Sequence, residues 1–69
     1  MKRHAQLEPG KVYRNRGGGE YRCICQMLAN KDDYLMRNEA SGWTFEACTI
    51  TMYEDGSIEW DYSKNGRFD

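Results

Sequence analysis

Apolar and polar residues alternate along most of this 69-residue chain, which is the pattern of β-strands with one buried face. The last such stretch is the clearest, since Ile58, Trp60 and Tyr62 alternate with Glu59 and Asp61. Turn-forming residues separate the alternating runs. The pattern predicts five strands, at Lys11–Arg14, Glu20–Leu28, Tyr34–Asn38, Trp43–Tyr53 and Ser57–Tyr62.

Glycine marks the turns between these strands. The triplet Gly17-Gly18-Gly19 and the dipeptide Asp55-Gly56 predict two tight hairpins, because glycine reaches positive φ without steric cost. Pro9-Gly10 predicts the turn at which the ordered fold begins. The segment between residues 26 and 40 has a helix-friendly composition. Its Asn-Lys-Asp-Asp run nevertheless favours a loop that leads into a strand.

The fourth predicted strand changes phase. Its apolar residues, which begin with Trp43, stand at odd positions up to Ala47 and at even positions from Cys48 onward. A straight strand cannot direct both sets to one core, because its side-chain period is two. A bulge or sharp bend near Ala47 and Cys48 resolves the conflict, and a small closed barrel needs such a bent strand.

These strands predict an all-β fold, a small five-stranded SH3-like barrel. An OB-like barrel is the alternative, but it usually needs more residues and a helix between its third and fourth strands. We expect residues 1–6 to be a flexible basic tail and residues 7–69 to form the single barrel domain. The predicted core contains Cys23, Cys25, Phe45, Ile58 and Trp60.

Charge is distributed unevenly along the chain. The net charge is −1, which favours no class of partner. Residues 1–22 carry six Lys/Arg against two Asp/Glu, a balance of +4, whereas residues 23–69 carry four against nine, a balance of −5. Such asymmetry marks either a basic contact surface or the two ends of a solvated surface.

Nothing in the sequence predicts phosphate binding, catalysis or a metal. A phosphate-binding loop leads into a helix, whereas the glycine triplet leads into a predicted strand. The three cysteines are predicted to be reduced and metal-free. Together with His4 they allow a Cys₃His zinc site, but structural zinc usually takes Cys-x₂-Cys knuckles on loops. The single histidine lies in the predicted tail, so we predict no cofactor and no enzymatic activity.

The candidate binding residues are Tyr13, Arg14, Arg16 and Arg22, which surround the first hairpin. Arginines meet phosphates and acidic groups, and aromatic rings stack on bases or prolines. The arginines should project outward, because Arg22 lies between two inward positions. A plainer interpretation also fits, in which Tyr13 is a core residue and the arginines belong to a solvated surface.

Three blocks of the sequence resemble a known group of proteins. The blocks "EYRC", "MRNEASGWTF" and "YEDGSIEWDYSKNGRF" are similar to those of small, uncharacterised proteins carried on phages and conjugative elements of low-GC Gram-positive bacteria. The likeness runs from Leu7 to Phe68. It implies a mobile-element setting and a stand-alone small domain, and it carries over no functional residue.

The function we predict is a non-enzymatic protein-interaction module of a mobile genetic element, with another protein as its partner. The alternative is a weak nucleic-acid-binding small β-barrel that uses the basic N-terminal hairpin. The sequence shows neither a signal-peptide pattern nor an apolar stretch long enough to span a bilayer. We therefore expect a cytoplasmic protein without a membrane partner.

Overall fold

A computed structural model describes residues 3–4 and 6–65 of the chain. All regular secondary structure in that part is β, and none of it is helical. Accordingly, no helix of the described residues has the length and apolar character needed to cross a membrane. The predicted all-β class is confirmed.

The described residues form six strands. Their bounds are β1 Arg3–His4, β2 Val12–Arg14, β3 Glu20–Gln26, β4 Tyr34–Asn38, β5 Thr44–Met52 and β6 Ile58–Asn65. The five longer strands are the five predicted from the alternation, with ends that differ by at most three residues. The short strand β1 falls in the predicted tail, of which Met1, Lys2 and Ala5 lie outside the described residues. The division into tail and domain stays a prediction.

All six strands belong to one antiparallel sheet. Its order is β1-β5-β4-β3-β2, and β6 also pairs with β5. The first half of β5 pairs with β4, and the end of β5 pairs with β1 along the same edge. The other edge of β5 pairs with β6. An isolated parallel bridge joins Asn15, after β2, to Ile58 at the start of β6. Beyond that bridge, the described strands do not close the sheet.

The central strand β5 bends at Thr49, whose φ is 56°. Ala47, before the bend, and Ile50, after it, both belong to the core. Cys48 is also buried but lies outside the core cluster. The phase change predicted from the sequence is therefore confirmed, although the irregular backbone lies at Thr49, just after the predicted position.

A bulge in β3 overturns one prediction. Cys23 pairs with Met36, but Cys25 pairs with Leu35, so Ile24 is an extra residue on this strand. Beyond the extra residue the side-chain alternation is no longer in phase. Cys23 is buried and Cys25 is exposed. The expectation that Cys25 belongs to the core is wrong, because the bulge turns its side chain to the surface.

The core lies on the inner face of the curled sheet. Cys23, Phe45 and Ile58 are buried as predicted, and Trp60 is partly buried and packs against them. The buried cluster as a whole consists of Leu7, Tyr13, Cys23, Tyr34, Met36, Phe45, Ala47, Ile50 and Ile58.

The two glycine hairpins are confirmed. Gly18 has a φ of 93° and Gly56 a φ of 88°. In the first hairpin the Asn15 side-chain oxygen accepts a hydrogen bond of 2.8 Å from the Gly19 amide. A Cβ at Gly19 would lie 2.9 Å from the Tyr21 ring. The absence of a side chain there thus lets the Tyr21 ring lie against the turn.

Candidate functional site

Tyr13, the aromatic member of the predicted binding set, lies in the core. Tyr13 is only 7% exposed. Its hydroxyl accepts a hydrogen bond of 2.8 Å from the Glu8 amide, and the Lys11 ammonium lies 5.4 Å from the ring centroid. Burial therefore assigns this ring to packing.

Arg14 and Arg16 are exposed at the end of the first hairpin. The Arg14 side chain is 68% exposed and lies 3.4 Å from a Glu20 carboxylate oxygen. The Arg16 guanidinium lies over the Tyr53 ring, 4.3 Å from its centroid. At this distance the two groups form a cation–π contact.

Arg22 has a structural role in addition to its charge. It donates one hydrogen bond of 2.7 Å to the Gly10 carbonyl and another of 2.9 Å to a Glu39 carboxylate oxygen. The side chain thus ties the turn before β2 to the turn after β4. The three arginines lie at the surface as predicted, but each has different partners and they do not converge on one site.

The sequence interpretation missed the most exposed aromatic side chain among the described residues. Trp43 is 62% exposed, although its phase with Phe45 predicted an inward side chain. That expectation is wrong because β5 begins only at Thr44. The preceding turn, closed by a 2.7 Å hydrogen bond from the Gly42 amide to the Asn38 carbonyl, leaves Trp43 beyond the end of the strand.

Trp43 forms one wall of a shallow cleft of ≈ 190 Å³, the Trp43 cleft, lined by Tyr21, Asn38, Trp43, Phe45, Trp60 and Ser63. Three rings form its floor. The Tyr21 centroid lies 5.0 Å from that of Trp60 and 5.7 Å from that of Phe45, in both cases nearly perpendicular. Such edge-to-face contacts contribute about 1 kcal/mol each beyond area burial. The floor is therefore a preformed apolar surface.

A second depression lies beside the first. This Arg16 cleft, also of ≈ 190 Å³, is lined by Asn15, Arg16, Gly17, Glu59 and Trp60. Trp60 lines both clefts, so they adjoin each other. We call the two clefts together the groove. It extends from the first hairpin to the turn that precedes β5.

Carboxylates lie at and near the Arg16 end of the groove. Glu59 lines the Arg16 cleft, and Asp55 lies close enough to Arg16 for that charge to affect its pKa. Asp61 follows Glu59 two residues later on β6. All three are exposed, and we call them the acidic rim. A hydrogen bond from Ser57 lowers the pKa of Asp55, which keeps this carboxylate ionised. Glu59 accepts a hydrogen bond from the Tyr53 hydroxyl, and this contact raises the pKa of Tyr53. The groove therefore combines an apolar floor with a negative rim.

Asp33, Glu46 and Cys48 form a separate cluster whose ligand atoms lie within 4.8 Å of one another. The Asp33 carboxylate, on a residue 4% exposed, accepts a hydrogen bond of 3.1 Å from the Thr49 amide. Two carboxylates and a thiol are donors that zinc accepts. Burial and the two carboxylates, however, raise the pKa of Cys48. In the metal-free protein Cys48 is therefore held as a thiol, and a bound cation would have to displace its proton.

No local pattern predicts this cluster, because Asp33 falls in a run predicted to be a loop. The side chain of His4, the fourth residue of the considered zinc site, lies outside the described part of the chain.

Comparison with known proteins identifies no relative of this chain. No protein-family model, no curated protein and no solved structure matches the chain.

Proposed function

We propose that the protein is a non-enzymatic protein-interaction module that binds another protein in the groove. The observation that carries the proposal is the exposure of Trp43, 62%, beside a preformed aromatic floor. Trp, Tyr and Arg are the residues that dominate the energy of protein interfaces, and the groove presents Trp43, Trp60, Tyr21 and Arg16 together. Large apolar side chains exposed around a concave surface are typical of a docking site.

The proposal also includes a specific fold for this all-β sheet, an SH3-like barrel. Its support is the sequential antiparallel order of β2 to β6, the bend at Thr49 and the bridge from Asn15 to Ile58. Small barrels of this kind expose shallow faces between their loops, and they use these faces to bind extended segments. The groove occupies such a position, between the first hairpin and β6.

The chemistry of the described side chains supports a binding protein more than an enzyme. The buried thiol of Cys48 has a raised pKa, so it is a poor nucleophile at neutral pH. The Ser57 hydroxyl donates to Asp55, but the same carboxylate oxygen also accepts from the Ser57 amide. That pair of contacts closes the turn before β6 and needs no catalytic explanation.

We also propose a cytoplasmic setting on a mobile element. Three free thiols are typical of a reducing compartment. The resemblance of the three sequence blocks to proteins of phages and conjugative elements supports the mobile-element part.

The test is capture of a partner from host lysate with three immobilised proteins: wild type, Trp43→Ala and Leu28→Ala. Leu28 is fully exposed on the loop after β3, so its variant removes a surface apolar side chain outside the groove. We expect wild type and Leu28→Ala to retain the same protein and Trp43→Ala to lose it. Equal retention by all three would show that the groove is not the binding site.

The alternative function, weak nucleic-acid binding by the basic hairpin, has one observation in its favour. Arg14 and Arg16 are both exposed on that hairpin, close to the aromatic groove. Retention on single-stranded DNA that falls steeply with salt would indicate it, because phosphate contacts release counterions. Nuclease treatment of the lysate separates the two functions, since only capture through nucleic acid would be lost.

A further inference from the structure

The last strand, β6, has a hydrogen-bonding edge that the described residues leave open. It pairs with β5 from Ile58 to Asn65. On its other side, within residues 3–4 and 6–65, the sheet supplies one contact, the bridge between Asn15 and Ile58. From Glu59 onward β6 is therefore an edge strand, and it borders the groove through Glu59, Trp60 and Ser63.

The pairing with β5 tells which backbone groups point to this edge. In an antiparallel pair, residues alternate between those that bond to the partner strand and those that point away. The Tyr53 amide donates to the Ser57 carbonyl at 2.8 Å, so Ser57 bonds to the β5 side. The pairing omits Thr49 and Asp61 but keeps the same register on both sides of them, to the end of β6. The N–H and C=O groups of Trp60, Tyr62 and Lys64 therefore point to the open edge.

The position of the bridge agrees with this assignment. Ile58 belongs to the same alternate set, and it is the residue that pairs with Asn15 across the gap. The chain after Asn15 turns back into β3 and cannot extend the pairing along β6. An added strand would continue the pairing along β6 from Ile58, where the pairing with Asn15 ends.

The side chains along β6 specify what such a strand would carry. Trp60 packs inward against Tyr21 and Phe45, whereas Glu59 and Asp61 are exposed. In neighbouring strands, directly opposed residues face the same side of the sheet. A residue opposite Trp60 would lie on the aromatic floor, and a residue opposite Asp61 would lie beside the acidic rim.

We propose that the partner of this module presents an extended segment of alternating apolar and basic residues, which adds to β6 as a further strand. The inference rests on the proposed function, since it specifies how the groove binds its partner. Backbone hydrogen bonds to Trp60, Tyr62 and Lys64 contribute affinity, and the aromatic floor and acidic rim contribute specificity.

The probe is a capped peptide of alternating valine and lysine, with a valine–glutamate peptide as its charge control. Both tryptophans of the chain, Trp43 and Trp60, line the Trp43 cleft, so intrinsic fluorescence reports binding there. We expect the lysine peptide to change the fluorescence at concentrations at which the glutamate peptide does not. Hydrogen exchange should slow roughly tenfold at the amides of Trp60, Tyr62 and Lys64, because strand addition gives them partners.

Two changes separate strand addition from docking of side chains alone. The first is a lysine peptide N-methylated at every second residue, which blocks one hydrogen-bonding edge without altering the protein. The second is Tyr62→Pro, which removes an N–H that points to the open edge. Edge strands tolerate proline at such positions. Tyr62→Val is its matched control, because it also loses the phenol but keeps the N–H.

We expect N-methylation, and Tyr62→Pro relative to Tyr62→Val, each to weaken binding at least roughly tenfold. If the N-methylated peptide binds as tightly as its parent, strand addition is excluded while the groove remains a binding site. If the protein without peptide sediments as a dimer that Tyr62→Pro dissociates, a second copy occupies the edge and the proposed partner is wrong. If neither peptide nor the captured host protein changes the tryptophan fluorescence, the proposed function itself fails.

Discussion

Asn15 and Ile58 pair in a parallel bridge across the gap between the first hairpin and the last strand. Ile58 is fully buried, and Asn15 holds the glycine turn through its bonds to Gly19. The hairpin is thereby attached to the core at the point where the Arg16 cleft begins. The placement of Arg16 beside Trp60 consequently depends on the conformation of this turn.

The turn can be tested with Gly18→Ala. Gly18 has a φ of 93°, which costs a residue with a Cβ about 1–2 kcal/mol, so we expect a loss of that size in the free energy of unfolding. Gly17→Ala is the control, because a Cβ there meets only Asn15 Oδ1 at 3.6 Å. It should change stability by less than about 0.5 kcal/mol. Urea denaturation measures both, and equal effects would contradict the assignment of the strained position.

The bend in β5 predicts a stabilising substitution. Thr49 is β-branched and has a φ of 56°, which costs about 1–2 kcal/mol. Thr49→Gly should recover part of that cost and raise the free energy of unfolding by up to about 1 kcal/mol, after the greater backbone entropy of glycine is subtracted. Thr51→Gly, at a regularly paired position opposite Glu59, should instead destabilise the protein. A melting temperature that falls by the same amount in both variants would argue against the bend.

The arginines of the first hairpin should differ in their effect on stability. Arg22→Ala removes hydrogen bonds to Gly10 and Glu39 and should lower the free energy of unfolding by about 1 kcal/mol. Arg14→Ala removes an exposed ion pair with Glu20 and should cost less than about 0.5 kcal/mol. Chemical denaturation of the two single variants measures the difference. Identical stabilities would mean that the contacts of Arg22 contribute nothing to the fold.

The buried thiol of Cys23 should make stability depend on alkaline pH. Burial, helped by the nearby Cys25, raises its pKa from 9.0 to about 11. A raised pKa in the folded state gives a contribution that is fully present below pH 9 and is lost as the pH rises towards 11. Cys23→Ala should therefore reduce the slope of unfolding free energy against pH in this interval, by at most about 1.4 kcal/mol per pH unit. Cys25→Ala, a change at the surface, removes only the smaller of these two causes and should keep most of the steeper slope.

Chelation should leave the protein unchanged. Zinc at Asp33, Glu46 and Cys48 would first have to displace the proton of the Cys48 thiol, and we expect the same melting temperature in buffer, with EDTA and with added zinc. A structural zinc ion would contribute its binding energy to folding. A lower melting temperature in EDTA, absent in Cys48→Ala, would instead show that Asp33, Glu46 and Cys48 hold a metal.

The strands were predictable because their signals are local. Alternation places β6, and the positive φ values needed at Gly18 and Gly56 mark the two hairpins. The phase change in β5 was also predictable from a local signal, the order of apolar residues around Ala47. Such features need no knowledge of which strands pair.

Features that depend on which strands pair, and where each strand ends, were not predictable in this way. The bulge at Ile24 arises in the register between β3 and β4, so simple alternation placed Cys25 inside. The exposure of Trp43 depends on where the turn ends and β5 begins. The cluster of Asp33 with Cys48 joins a loop to a distant strand, and the composition of the loop does not show that one of its carboxylates is buried.

The open edge of β6 has a consequence for the protein at high concentration. Unpaired strand edges are where identical chains begin to stack into fibrils. Charged side chains interrupt this edge strand at Glu59, Asp61 and Lys64, and bringing like charges together would oppose stacking of parallel copies in register. The carboxylates that select a basic partner would thus also protect the chain from self-association, and neutralising them would exchange selectivity for fibre formation.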